Sequence, residues 1–410
     1  MISFIKNYVF GKKGYIFKPN FIRIMKKLIY SLLFVSSTFG ATAQQYYPLA
    51  SPCDPDKVFE KLPSAAYENT CIQLLRIKSQ PFNNFPKEVF RYPNLKELTL
   101  QNANISSLPI DIYLLGDLEV LDLSNNNLTS LPSSIGSMKK LRKIILRNNK
   151  LTTLPVSIAN CKNLEELDIT GNPINFLPNE INNLQSLTTF KFSGNKIDNP
   201  KTMLALVRQM KNITNLDMSN CNLNYVPADI RFLPKLRELN LVNNNIHFLP
   251  EEIGYLTNLE TLILGDGNGG NKIYDLPTSF ANLRNLKTLH ASHNGFVDFP
   301  IVLTGLKGLQ KLNLSNNQIQ EIPAEISMMT SLNNLNMMNN QLKDVPVEIG
   351  QLNSLTQFDY AGNQFSYETQ QKIINLMAPT PVKPTKSRAY KKPVSRNKIT
   401  SKRKQHSRKK

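Results

Sequence analysis

The residues with the strongest claim to chemistry are few and scattered. His290 and His293 stand three apart, a spacing that can bring two imidazoles to one metal. Zinc asks for three or four ligands, and no Cys, His, Asp or Glu nearby supplies a third, so the pair reads as two surface histidines. Asp266-Gly267-Asn268 opens like a calcium loop. The twelve-residue pattern needs glycine at its sixth position and glutamate at its twelfth, where this chain has Asn271 and Pro277. Asp122, Asp168 and Asp217 recur in Leu-Asp settings followed by Leu, Ile or Met, a regular spacing that marks structure before it marks an acid–base pair. No phosphate-cradling GxxxxGK[ST] is present, and none of the four cysteines has an evident catalytic histidine partner. These observations predict no catalytic residues, no metal, no cofactor and no enzymatic activity.

Charge points at first toward nucleic acid. The 410 residues carry 49 Lys or Arg against 30 Asp or Glu, a net charge of +19. The excess sits at the ends. Residues 1–43 hold seven basic residues and no acid, and residues 380–410 hold thirteen and no acid, so the stretch between them is close to neutral. Met25-Lys26-Lys27 followed by the apolar run Leu28–Gly40 and by Ala41-Thr42-Ala43 reads as a signal peptide, cleaved before Gln44. The run is shorter than the roughly 20 residues that span a bilayer, and its alternative is a short buried helix. Residues 1–24 then precede a complete signal and point to a start-site error. The segment 380–410 offers almost nothing to bury and is expected to be a disordered basic tail. It either grips anionic surface polymers or lipids or stays solvated; with Tyr390 its single aromatic, nucleic acid is disfavoured.

The elements that must position everything else repeat. The pattern L-x-x-L-x-L starts thirteen times from Ile72 to Leu355, and ten of the twelve intervals are 23 residues; the exceptions are 26 (Leu187 to Ile213) and 27 (Leu259 to Leu286). Leu121 and Leu123 point one way from a short strand, while Val120, Asp122 and Ser124 point the other. Eight residues after nine of the thirteen starts stands an asparagine: Asn126, Asn149, Asn172, Asn195, Asn244, Asn294, Asn317, Asn340 and Asn363. Stacked coils make these a ladder that satisfies neighbouring backbone; Cys221 fills the slot once, and Ala103 and Gln80 depart from it. A Leu-Pro pair follows, as in Leu131-Pro132 with Ile135, and predicts a 3₁₀ turn rather than a second central strand.

Over residues 72–365 the chain resembles the leucine-rich-repeat family, in the Leu-Pro-x-x-Ile form seen in Scribble-type and Ras-pathway scaffolds and in plant intracellular Ras-group proteins; its leader is similar to bacterial export signals. The resemblance implies an α/β solenoid, a horseshoe with a concave parallel sheet and convex 3₁₀ or short helical segments. It also implies a binding module rather than an enzyme.

Residues 44–71 are expected to cap the first coil through a Cys53–Cys71 disulfide, as an exported protein permits, leaving Cys161 and Cys221 as buried thiols. Residues 366–378 are expected to form a helical cap with Ser366 as N-cap, its Ile373, Ile374 and Met377 covering the last coil. Asp198–Met210 predicts a convex helix, and Gly265–Gly270 a flexible loop at the concave edge. Val242 and Ile263 are apolar where outward strand positions are mostly polar, with Asn240 and His290 beside them. These four residues are the expected contact site for a protein or peptide partner. The alternative functions are an envelope-structural protein anchored by its tail or, without export, a cytoplasmic signalling scaffold.

Overall fold

The computed structural model describes residues 54–63, 69–196, 199–267 and 269–377. The expected signal peptide, Cys53 and the basic tail lie outside the described residues.

Fourteen parallel strands stand side by side in chain order. They are β1 (Val58–Phe59), β2 (Leu74–Lys78), β3 (Glu97–Gln101), β4 (Val120–Asp122), β5 (Lys143–Ile145), β6 (Glu166–Asp168) and β7 (Thr189–Lys191). They continue with β8 (Asn215–Asp217), β9 (Glu238–Asn240), β10 (Thr261–Gly265), β11 (Thr288–Ala291), β12 (Lys311–Asn313), β13 (Asn334–Asn336) and β14 (Gln357–Asp359). Each coil returns the chain to the edge of the strand just laid down, which is the horseshoe solenoid expected from the repeat. The register is set by the apolar pattern: Leu121 pairs with Leu98 on one side and Ile144 on the other. A one-residue slip would expel this row from the core. Those three residues are fully buried, as are their equivalents on β2, β6, β7 and β9–β13.

Proline accounts for the outer arm. Pro132, at φ −68°, precedes a 3₁₀ turn over Ser133–Ser137, and Pro250 precedes one over Glu251–Tyr255. Its fixed φ and missing N–H suit the entry to a turn. Ile135 and Ile253 then drop into the core with no exposed surface. The 26-residue repeat replaces this turn with α1 (Pro200–Val207), whose Asn199 cap accepts a hydrogen bond from Thr202 N at 3.2 Å.

Both ends are covered. Val58 and Phe59 pair with Leu74 and Leu75, adding a cap strand that the repeat pattern did not announce. At the other end α2 (Tyr367–Met377) follows Ser366, whose Oγ accepts from Thr369 N at 3.2 Å. Ile373 is buried and Met377 packs against the core, whereas Ile374 faces solvent. That corrects its expected place over the last coil: residues i and i+1 lie about 100° apart on a helix, so Ile373 and Ile374 do not share a face.

Between each strand and the ladder asparagine the chain passes through the left-handed region. Asn102, Asn125, Asn148, Asn220, Asn243, Asn316 and Asn339 have φ between 51° and 57° there; Gly171, Gly194 and Gly362 fill the same slot. Asparagine and glycine tolerate this conformation best, so the Asn-Asn and Gly-Asn doublets are two separate requirements side by side.

Candidate binding face of the sheet

The inner ladder is built from amides. Asn126 Oδ1 accepts from Ala103 N at 3.1 Å and Ile105 N at 3.0 Å, while its Nδ2 donates to Leu100 O and Leu123 O. Asn149, Asn172, Asn195, Asn244, Asn294, Asn317, Asn340 and Asn363 make the same kinds of bond. One rung escaped the sequence reading. In the 27-residue repeat Asn271 accepts from Ile246 N and donates to Leu241 O and Leu264 O. The inserted residues displace it in sequence but not in space; the signal for it was Ile273 two residues on, matching Leu128 after Asn126. These side chains hold coils together and are not available to a ligand.

The concave row lies on the opposite strand positions. Where its central residue, four after the repeat start, is Asp or Asn, it performs a local task first. Asp122 Oδ1 accepts from Ser124 N at 2.9 Å, Asp217 Oδ1 from Ser219 N at 3.0 Å, Asn240 Oδ1 from Val242 N at 3.1 Å. Asn313 and Asn336 do the same for Ser315 N and Met338 N, each at 3.0 Å. Each side-chain oxygen ties off the backbone where the three-residue strand ends.

What the remaining side-chain atom does divides the face. In β3–β7 it is consumed: Gln101 Nε2 donates to Asp122 Oδ2 at 2.7 Å, Arg147 pairs with fully buried Asp168, and Glu166 lies 3.2 Å from both Lys143 and Lys191. In β9, β12 and β13 the Nδ2 groups of Asn240, Asn313 and Asn336 donate to no partner among the described residues. Lys311, exposed on β12, has no ion pair among them.

Register brings three of the four expected site residues together. Asn240 pairs with Ile263 and Ile263 with His290, on β9, β10 and β11. All three are partly exposed. Burial is the main cause lowering the His290 pKa from its ordinary 6.5; Lys311 acts in the same direction and Asp266 opposes them. Val242 is a correction. It is 4% exposed: six residues past the repeat start the strand has ended, so strand alternation no longer sets which way the side chain faces. The small residues of the same slot, Ser124, Ser193, Ser219, Ser292 and Ser315, are buried too, whereas Arg147 there is exposed. Ile145 and Met338, apolar and outward in the same reading, are partly exposed.

The loop beside this site is tied rather than loose. Asp266 and Gly269 exchange backbone hydrogen bonds, and the register shifts between Ile263 and Gly265. A Cβ at Gly265 would meet Ser292 O at 1.7 Å, and one at Gly270 would meet His293 O at 1.9 Å. Glycine is required there by the close approach of the next coil.

Cys71 is disulfide-bonded, and Cys161 and Cys221 are free and buried. Burial pushes their thiols up to about 11 and about 12, so both stay protonated and poorly nucleophilic. Among the described residues no group of three or more His, Cys, Asp or Glu is placed to hold a metal, and no helix is long and apolar enough to cross a membrane.

No curated protein matches the sequence. Among solved structures, a leucine-rich-repeat protein of Leptospira interrogans is 27% identical, with a TM-score of 0.57 over 78% of this chain and 98% of that one. A Listeria monocytogenes internalin, at 21% identity and a TM-score of 0.62 over 72% of this chain and 82% of its own, shows the shared fold. A plant peptide hormone receptor in complex with RGF2 is 27% identical, with a TM-score of 0.54; the match covers 72% of this chain and 56% of the receptor. A family model described as a leucine-rich repeat region matches residues 72–214 and 200–314, and a two-copy leucine-rich-repeat model matches 307–348. The unbroken parallel sheet, the asparagine ladder and these matches agree: the chain belongs to the leucine-rich-repeat family.

Proposed function

We propose that this is an exported, non-catalytic recognition protein that holds a protein or peptide partner on β9–β13 of its concave face. The observation that carries the reading is the row of outward amide donors at Asn240, Asn313 and Asn336, interrupted by Ile263 and His290. Free N–H donors around a half-exposed apolar side chain suit peptide carbonyls with an apolar side chain between them. The plant receptor of similar fold, itself a peptide hormone receptor, lends support. Cys71 pairs with Cys53 in this reading, sealing the first coil for an oxidising compartment. The basic tail favours a second contact, with anionic surface polymers or lipids.

The test is to recover a partner with immobilised full-length protein and then measure its affinity for Ile263→Lys and for the pair Asn313→Ala, Asn336→Ala. Each variant is expected to bind about tenfold more weakly, the loss of a central contact or of two hydrogen bonds. Unchanged affinity in both would place the contact outside β9–β13.

A further inference from the structure

On the concave strand positions of β9–β14 stands a single lysine or arginine, Lys311 of β12. The other two lysines within β3–β13, Lys143 and Lys191, each lie 3.2 Å from Glu166. Lys311 is exposed and has no ion pair among the described residues. Its register neighbours explain why: Thr288 on β11 and Asn334 on β13 offer no carboxylate. Asn334 is engaged with β14, its Nδ2 donating to Gln357 Oε1 at 2.7 Å.

Donors gather beside this ammonium. Asn313 stands two residues along β12, on the same face, and Asn336 is the register neighbour of Asn313. Their side-chain oxygens are taken by Ser315 N and Met338 N, while both Nδ2 groups donate to nothing among the described residues. His290 on β11 also feels the lysine, which helps to lower its pKa. Spacings of about 4.8 Å between strands and about 7 Å between alternate residues of one strand let a cation and an open amide reach the two oxygens of one carboxylate.

The surroundings limit that anion to a single charge. The other charged residues on the concave strand positions of β9–β14 are Glu238 and Asp359, and Asp266 acts on His290 from just past β10. A polyanion laid along the row would meet these carboxylates; one acidic side chain with neutral neighbours would not. Open amides continue on both sides of Lys311, at Asn240 and Asn336, so a chain bound to them runs past the lysine rather than ending at it.

Building on the concave-face function above, on which it rests, we propose that the partner held on β9–β13 presents one internal Asp or Glu to Lys311 and Asn313, about three residues from the apolar side chain that packs on Ile263. The separation follows from the strands. β10 and β12 are two spacings, about 10 Å, apart, and an extended chain covers that in about three residues.

Full-length protein is used to select from random twelve-residue peptides displayed within a loop, with neither terminus free. The selected sequences are expected to share an Asp or Glu about three positions from an apolar residue. Repeating the selection with Lys311→Glu should replace that acid by Lys or Arg and keep the apolar position. The strongest peptide, synthesised with acetylated and amidated ends, should bind Lys311→Met about fivefold more weakly than the parent, the upper range for an exposed ion pair. Its Asn or Gln analogue should bind both proteins equally, and the fivefold difference should shrink as salt rises to about 0.5 M. An acidic preference that survives Lys311→Glu would overturn the role of Lys311. So would the absence of any acidic preference among peptides that Ile263→Lys no longer binds; in both cases the concave-face site itself stands. A synthetic peptide that binds better once its C-terminus is freed would assign Lys311 to a chain end and overturn the internal residue. Sequences indifferent to Ile263→Lys, or a selection that enriches nothing, would overturn the concave-face site and the role of Lys311 together.

Discussion

The two halves of the concave face use the same backbone device and end with different surfaces. In β4, β6 and β8 the residue that ties off the strand is Asp122, Asp168 or Asp217; in β9, β12 and β13 it is Asn240, Asn313 or Asn336. One oxygen serves the backbone equally well in either residue. The second atom differs. Gln101 and Arg147 answer the second carboxylate oxygen of Asp122 and Asp168, and Arg76–Glu97 and Lys143–Glu166–Lys191 extend the ion pairing. An amide nitrogen is neutral and can wait for a ligand. The central row is therefore tied up by ion pairs and hydrogen bonds at Asp122 and Asp168, and neutral with open amide donors at Asn240, Asn313 and Asn336. Asn at this repeat position leaves the strand with an unpaired side-chain donor, which Asp cannot supply.

The largest expected effect separates Val242 from its neighbour. Val242→Glu would put a carboxylate into a buried slot and should cost about 3 kcal/mol in denaturant unfolding. Ile263→Lys, on a half-exposed strand position, should change stability by no more than about 0.5 kcal/mol. Equal costs would break the distinction between slot and face.

Removing the tie-off residue should weigh differently in the two halves. Asp168→Ala strips the backbone at Thr170 N of its acceptor and leaves Arg147 without its carboxylate, an expected loss of about 2 kcal/mol. Asn313→Ala loses the bond to Ser315 N alone, about 1 kcal/mol. Urea midpoints at constant m-value would measure both. A cost at Asn313 equal to that at Asp168 would show that its Nδ2 is already engaged.

The coil register was legible because period and spacing agree over thirteen copies: an apolar residue every second strand position and an asparagine eight residues from each start leave one stacking. The Leu-Pro turn was legible for the same reason. The hidden features were those in which one residue type serves several ends. Asn271 looked like part of a glycine-rich insertion, yet the ladder needs its amide there. The left-handed asparagines stand beside ladder asparagines and are identical to them in type. Val242 looked outward by strand alternation, but alternation stops where the strand stops, and the covered serine row takes over. Of the expected contact residues, Asn240, Ile263 and His290 do share one register line.

The smallest effect tests the neutrality of the strands with open amide donors. His290 is held below its ordinary pKa, chiefly by burial, so the folded protein resists its protonation more than the unfolded chain does. As pH falls through 6.5 the unfolded chain takes the proton first, and stability declines from there until the folded-state pKa is passed. His290→Asn removes that contribution and should flatten the stability profile between about pH 7 and the lower end of that window. Glu251 and Glu260 do not blur it. Hydrogen bonds from Ser279 and from Lys287 keep their pKa values below 4.5, so their losses come at more acid pH. Partner affinity should fall only at the acid end of that window and below it, as the folded-state pKa is passed, because a protonated His290 brings charge to a strand line whose other members, Asn240, Ile263, Asn313 and Asn336, are neutral. A variant whose stability follows the parent's pH profile would show that His290 is hydrated in the folded state; its neutrality would then owe nothing to the fold.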